Sequence, residues 1–132
     1  MIVYNHSLYV FELIENNRIL LFKWTDNTEN MGEEDYQEAL HNYAGFVLEF
    51  KTPFLLVNVT NFRYKMTPQL GIWRDEHISP RYVKAGVKKF AYVVPKAVLE
   101  KMKSGEGMKK VVRGFEEEYL ESHEQAVSWL TN

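Results

Sequence analysis

The sequence predicts an α/β fold built on a mostly parallel sheet. Three observations lead there. Two nearly continuous apolar runs, Ile19–Trp24 and residues 54–59, have the composition of strands covered on both faces. Between them Glu33–Phe50 places Tyr36, Ala39, Leu40, Tyr43, Phe46, Val47 and Phe50 on one helical stripe. Beyond an initial hairpin, helix and strand signals alternate to the end, as they do when helices carry the chain between parallel strands.

The elements follow in order. Residues 8–14 are apolar and β-prone, 15–18 form a four-residue turn, and Ile19–Trp24 returns as the second strand of a hairpin. The polar stretch 25–32 leads into the long helix. Glu33, Glu34 and Asp35 in its first turn suit the positive end of the helix dipole, and Pro53 marks the boundary after it. Residues 54–59 then form a buried central strand, and 61–65 a loop. Thr67-Pro68 opens a helix, Thr capping it and Pro taking the first helical position. That helix runs over Pro68–His77, with a further turn or two over 80–85. Gly86 stops it, and 89–94 is a strand. A helix follows over 95–104, closed by Gly105. Residues 106–114 read as loop or continued helix, and 115–120 as an edge strand despite its three consecutive glutamates. Ser122 and Gln125 form a capping box for a final helix that turns Ala126, Trp129 and Leu130 inward.

The chain has 132 residues, 45% hydrophobic and 26% charged, which suits one soluble domain with its own core. It has no cysteine, which rules out disulfides, thiolate metal sites and cysteine nucleophiles. The net charge of −2 gives no global field to draw in nucleic acid or an acidic membrane. No apolar run approaches a membrane span, and the first ten residues lack a basic start and apolar stretch, so a cytoplasmic location is expected by default.

Catalytic signals are weak. His6, His41, His77 and His123 fall in four different elements without paired spacing, so no metal site is expected. Asp75 and Glu76 are adjacent and do not share a helix face; they read as solvated, and Arg74 beside them is equally ambiguous. No G-x-S-x-G is present, and Gly105-Glu106-Gly107 lacks the residues of a phosphate-binding loop. From 81 to 113 there are ten Lys or Arg against two Glu, and from 26 to 38 six acids without a Lys or Arg. Such runs are usually solvated faces. Their functional alternatives are contact with an anionic surface, including peripheral contact with a membrane, or pairing across a homo-oligomer; no nucleic-acid motif accompanies them.

Aromatic residues are abundant: eight Tyr, eight Phe and three Trp. They admit two readings, a core filled with rings or an aromatic-lined cleft. If there is a ligand site, its expected residues are Trp24, Phe62, Tyr64, Trp73 and Tyr82. Trp24 ends a strand, and the others follow the central strand or lie on the helices after it; ligands in parallel sheets gather beyond the carboxyl ends of the strands.

Three passages resemble the STAS-like proteins of the SpoIIAA-like superfamily, in particular its small stand-alone bacterial members. They are Leu55-Leu56-Val57-Asn58-Val59-Thr60-Asn61-Phe62, Gly86-Val87-Lys88-Lys89-Phe90-Ala91-Tyr92-Val93-Val94, and the ending from Tyr119 to Leu130 with its Ala-x-x-Trp-Leu helix. The resemblance implies a single STAS-like domain over 1–132. It implies a sheet of four to five strands with helices mainly on one side. It also implies a binding or switching module without catalysis or cofactor, whose partner is a protein or a small apolar ligand in a cleft under mobile helices. In the family's anti-sigma-factor antagonists a serine after the central strand is phosphorylated. Here Thr67 takes the acceptor position, with Met66 where the family has Asp and Pro68 after it. Read from the residues alone, Thr67 is a helix cap.

Overall fold

A computed structural model of the chain describes residues 1–103 and 114–132. The expected stop of the fourth helix at Gly105, the Gly105-Glu106-Gly107 turn and part of the basic run lie outside the described residues.

The described strands are β1 (Ile2–Asn5), β2 (Tyr9–Ile14), β3 (Ile19–Trp24), β4 (Phe54–Asn58), β5 (Lys89–Val93) and β6 (Glu116–Leu120). The helices are α1 (Glu33–Phe50), α2 (Pro68–His77), α3 (Ser79–Lys84), α4 (Lys96–Lys103) and α5 (His123–Thr131). All six strands join one sheet in sequence order. The pairs β1–β2 and β2–β3 are antiparallel, and β3–β4, β4–β5 and β5–β6 are parallel. The α/β class and the mostly parallel sheet are therefore as expected.

The strand number is not: the described sheet has six strands rather than four or five. The unexpected one is β1, four residues paired with β2 across a bulge between Ile2 and Tyr4. It is too short to announce itself by alternation; what holds it is the neighbouring strand. Val3 and Tyr4 pack on the core below.

The helices divide unequally between the faces. Each parallel crossover steps one strand further in the same direction, so connections of one hand lay α1 and the α2–α3 pair on the same face. There Leu20, Phe22 and Trp24 of β3, Leu55 and Val57 of β4, and Phe90 of β5 meet Tyr36, Leu40 and Tyr43 of α1, with Leu70, Ile78 and Tyr82 above. The opposite face carries Ile19, Leu21, Leu56, Ala91 and Val93, and α5 covers it with Ala126 and Leu130. Because α5 follows the last strand and crosses to no further one, handedness does not bind it to the first face. Trp129 is only half-buried there; Lys89 Nζ lies 5.0 Å from its ring centre and donates to the carbonyls of Trp129 and Asn132 at 3.1 and 3.2 Å. A cation so placed satisfies a helix's last carbonyls.

Caps fix the helix starts. The Asp35 carboxylate accepts from Gly32 N at 2.8 Å. Thr67 Oγ1 accepts from Leu70 N at 3.3 Å, with Pro68 at the first position. Ser122 Oγ accepts from Gln125 N at 3.2 Å. The Gln125 side chain reaches back to Glu121 N rather than to Ser122 N, so the expected box closes one residue early.

Candidate functional site

The site begins with strand register. In the parallel ladders Phe22 pairs with Val57, Val57 with Tyr92, and Tyr92 with Tyr119. These four residues form a row across the helix-covered face. Two residues further along lie Trp24, Val59 and Val94, near the carboxyl ends of their strands. Both rows line a cavity of about 230 Å³. Tyr36 and Leu40 of α1, Arg74 of α2, Ser79 and Tyr82 of α3, and Phe62 and Met66 from the β4–α2 connection close it from above.

That connection is held by a contact across the fold. Thr28, in a tight helical turn at Asp26–Asn30, is fully buried. Its Oγ1 donates to the Thr25 carbonyl at 2.8 Å and accepts from Arg63 N at 2.8 Å. Thr28 thus positions the loop between Phe62 and Tyr64. The Phe62 ring lies 4.8 Å from Trp24, and Tyr36 is stacked between Trp24 and Tyr64 at 5.9 and 6.4 Å.

Of the five aromatic residues singled out in the sequence, Trp24, Phe62 and Tyr82 line the cavity. Tyr64 does not; it stacks on the outer side of Tyr36. Trp73 does not either: it lies edge-on to His41 of α1 at 5.4 Å and 6.0 Å from His77. Thr67 is exposed and caps α2 beside Met66 of the cavity wall.

The residues singled out for a ligand site in the sequence left out further polar members of the wall: Arg74, Ser79, Tyr36, Tyr92 and Tyr119. A signal for Arg74 was present, since it lies four residues after Leu70, the buried anchor of α2, and so on nearly the same helix face. For the tyrosines the signal was the strand period, which puts Phe90, Tyr92 and Val94 on one face.

The electrostatics follow from burial. Arg74 Nε lies 3.4 Å from the Asp75 carboxylate, both side chains about one-third exposed. Burial works against the guanidinium's charge, but Tyr36, Tyr92 and Asp75 outweigh it and the net shift is upward, so Arg74 is a fixed cation. Burial raises the Tyr36 phenol, with the charge of Arg74 and a hydrogen bond from it pulling partly back. Burial also drives Tyr82 well up, against Arg74 and Arg81. Tyr92 donates to Glu117 at 3.2 Å. The wall is therefore apolar and aromatic, with the Tyr36 and Tyr82 phenols raised and one permanent positive charge at Arg74.

Among the described residues no group of three or more His, Asp or Glu is placed to hold a metal ion. No described helix is long and apolar enough to cross a membrane. Comparison with protein-family models, with curated proteins and with solved structures finds no match to the chain.

Proposed function

We propose that the chain is a cytoplasmic, non-enzymatic, STAS-like binding module that takes a small, largely apolar ligand in the cavity between the sheet and the α1–α3 layer. One observation carries this reading: the cavity lies where the parallel strands end, the place where open α/β sheets receive ligands. Its volume exceeds the roughly 150 Å³ that accommodates benzene in an engineered apolar cavity. It falls short of the roughly 300 Å³ at which drug-sized pockets begin. A single ring with a short chain, or a short aliphatic chain, fits that range. Between a protein and a small molecule as occupant, a concave hollow of this size between sheet and helices favours the small molecule.

The test is native mass spectrometry of gently purified protein, followed by denaturing release. The expected result is an adduct that is lost on denaturation and displaced by the neutral single-ring probe ethylbenzene. A clean apo mass, together with no rise in melting temperature when that probe is added, overturns the reading.

A second reading rests on the exposed Thr67 hydroxyl at the head of α2. It makes the chain a regulator of the anti-sigma-antagonist type, switched by phosphorylation there. A phosphate mapped to Thr67 in protein from its native cells supports it; unmodified mass under several growth conditions removes it.

A further inference from the structure

We propose that the cavity's ligand is an apolar carboxylate whose acid group is held by Arg74, with its hydrocarbon part against Trp24, Phe62 and Phe90. This deepens the ligand-binding reading above and rests on it.

Polarity is unevenly placed in the cavity wall. Trp24, Phe90 and Tyr82 are 3%, 3% and 4% exposed, so the deep part of the hollow is aromatic. The Arg74 side chain is 32% exposed and marks the end nearer solvent. A molecule lying along this gradient has an apolar body and a polar tip. The tip must suit a cation. Asp75 answers the charge at the Nε edge, but a neutral apolar molecule would cover the guanidinium's remaining donors with hydrocarbon, and desolvating them without a partner is costly. An ammonium tip would be repelled.

Among anions, the geometry favours a carboxylate. A guanidinium presents five N–H donors in a planar fork that matches a carboxylate's two oxygens. Asp75 engages the Nε edge at 3.4 Å, and the same group contacts the Tyr36 phenol. The fork's remaining donors and that phenol are of the kind that bind one singly charged acid. A phosphate would bring nearly two negative charges to a wall with one cation.

The test is a matched ligand series by calorimetry and tryptophan fluorescence. Phenylacetate is compared with phenylacetamide and phenethylamine, and octanoate with octanamide. These differ in the tip and share the body. The acids are expected to bind about tenfold to a hundredfold more tightly than their amides, the range for a hydrogen bond to a charged group, and the amine most weakly. In Arg74→Met the acid–amide gap is expected to close while amide affinity stays within about twofold; Arg74→Lys retains part of the gap, because it keeps the charge and loses the fork. The wild-type comparison needs no variant, so it stands even if Arg74→Met fails to fold. Equal affinity for acid and amide overturns the carboxylate assignment and leaves the ligand-binding reading intact. Binding of neither series, nor of neutral ethylbenzene, overturns both.

Discussion

Two buried hydroxyls do different work at the scale of single residues. Thr28 holds the site loop by accepting from Arg63 N, and the sequence placed it only in a polar stretch. Thr28→Val keeps the shape and removes both hydrogen bonds. It is expected to cost about 1–3 kcal/mol, the range for stranding a buried donor, and to weaken ligand affinity more than a change of equal cost on the α5 face. Chemical denaturation and ligand titration together check this. Tyr43 of α1 is fully buried against the sheet and donates to the Leu20 carbonyl. Burial raises its phenol well above the ordinary value. An unfolded tyrosine ionises near pH 10, so the folded state holds its proton where the unfolded state loses it. Its contribution is complete below about pH 10 and is lost as pH rises further. Tyr43→Phe is expected to cost about 1 kcal/mol at neutral pH and to show a shallower fall in melting temperature above about pH 10 than the wild type.

The β2–β3 hairpin shows, at the scale of elements, what a turn demands. Glu15, Asn16 and Asn17 have φ of 52°, 57° and 64°, all left-handed, and Arg18 N closes the turn on the Glu15 carbonyl at 3.2 Å. Asparagine enters this region readily and glutamate does not. Glu15 is exposed, so its side chain contributes no packing. Glu15→Asn is expected to stabilise the protein by about 0.5 kcal/mol, read as a higher denaturant midpoint with an unchanged slope. Elsewhere the element boundaries were legible to within a residue or two. The caps at Thr67 and Ser122, the prolines at 53 and 68, and the apolar stripe of α1 are local signals with local causes. Strand β1 was illegible because four residues carry too little pattern, and its pairing depends on β2.

For the whole molecule, α2 is the weakly held part of the cover over the cavity. Leu70 is the buried residue of α2, whereas α1 buries six residues from Tyr36 to Val47. Elements with few buried contacts open at low free energy. Amide exchange in α2 is therefore expected to be faster than in α1 and β4, and to slow when a cavity ligand is added. Equal protection of all three elements in the ligand-free protein contradicts a mobile cover.

The sequence by itself determined the α/β class, the alternation of elements and most helix caps. Periodicity and capping are properties of neighbouring residues, so they can be read from the chain alone. Of its five candidate ring residues, Trp24 at a strand's end and Phe62 and Tyr82 after the central strand are the three that line the cavity. Only the tertiary structure decided that Tyr64 and Trp73 pack outside the cavity, that Thr28 clamps the site loop, and that Arg74 joins the cavity wall. Those outcomes turn on strand register and on the rotation of each helix about its axis. Both are fixed by contacts between residues far apart in sequence, as when Phe22, Val57, Tyr92 and Tyr119 fall into one row.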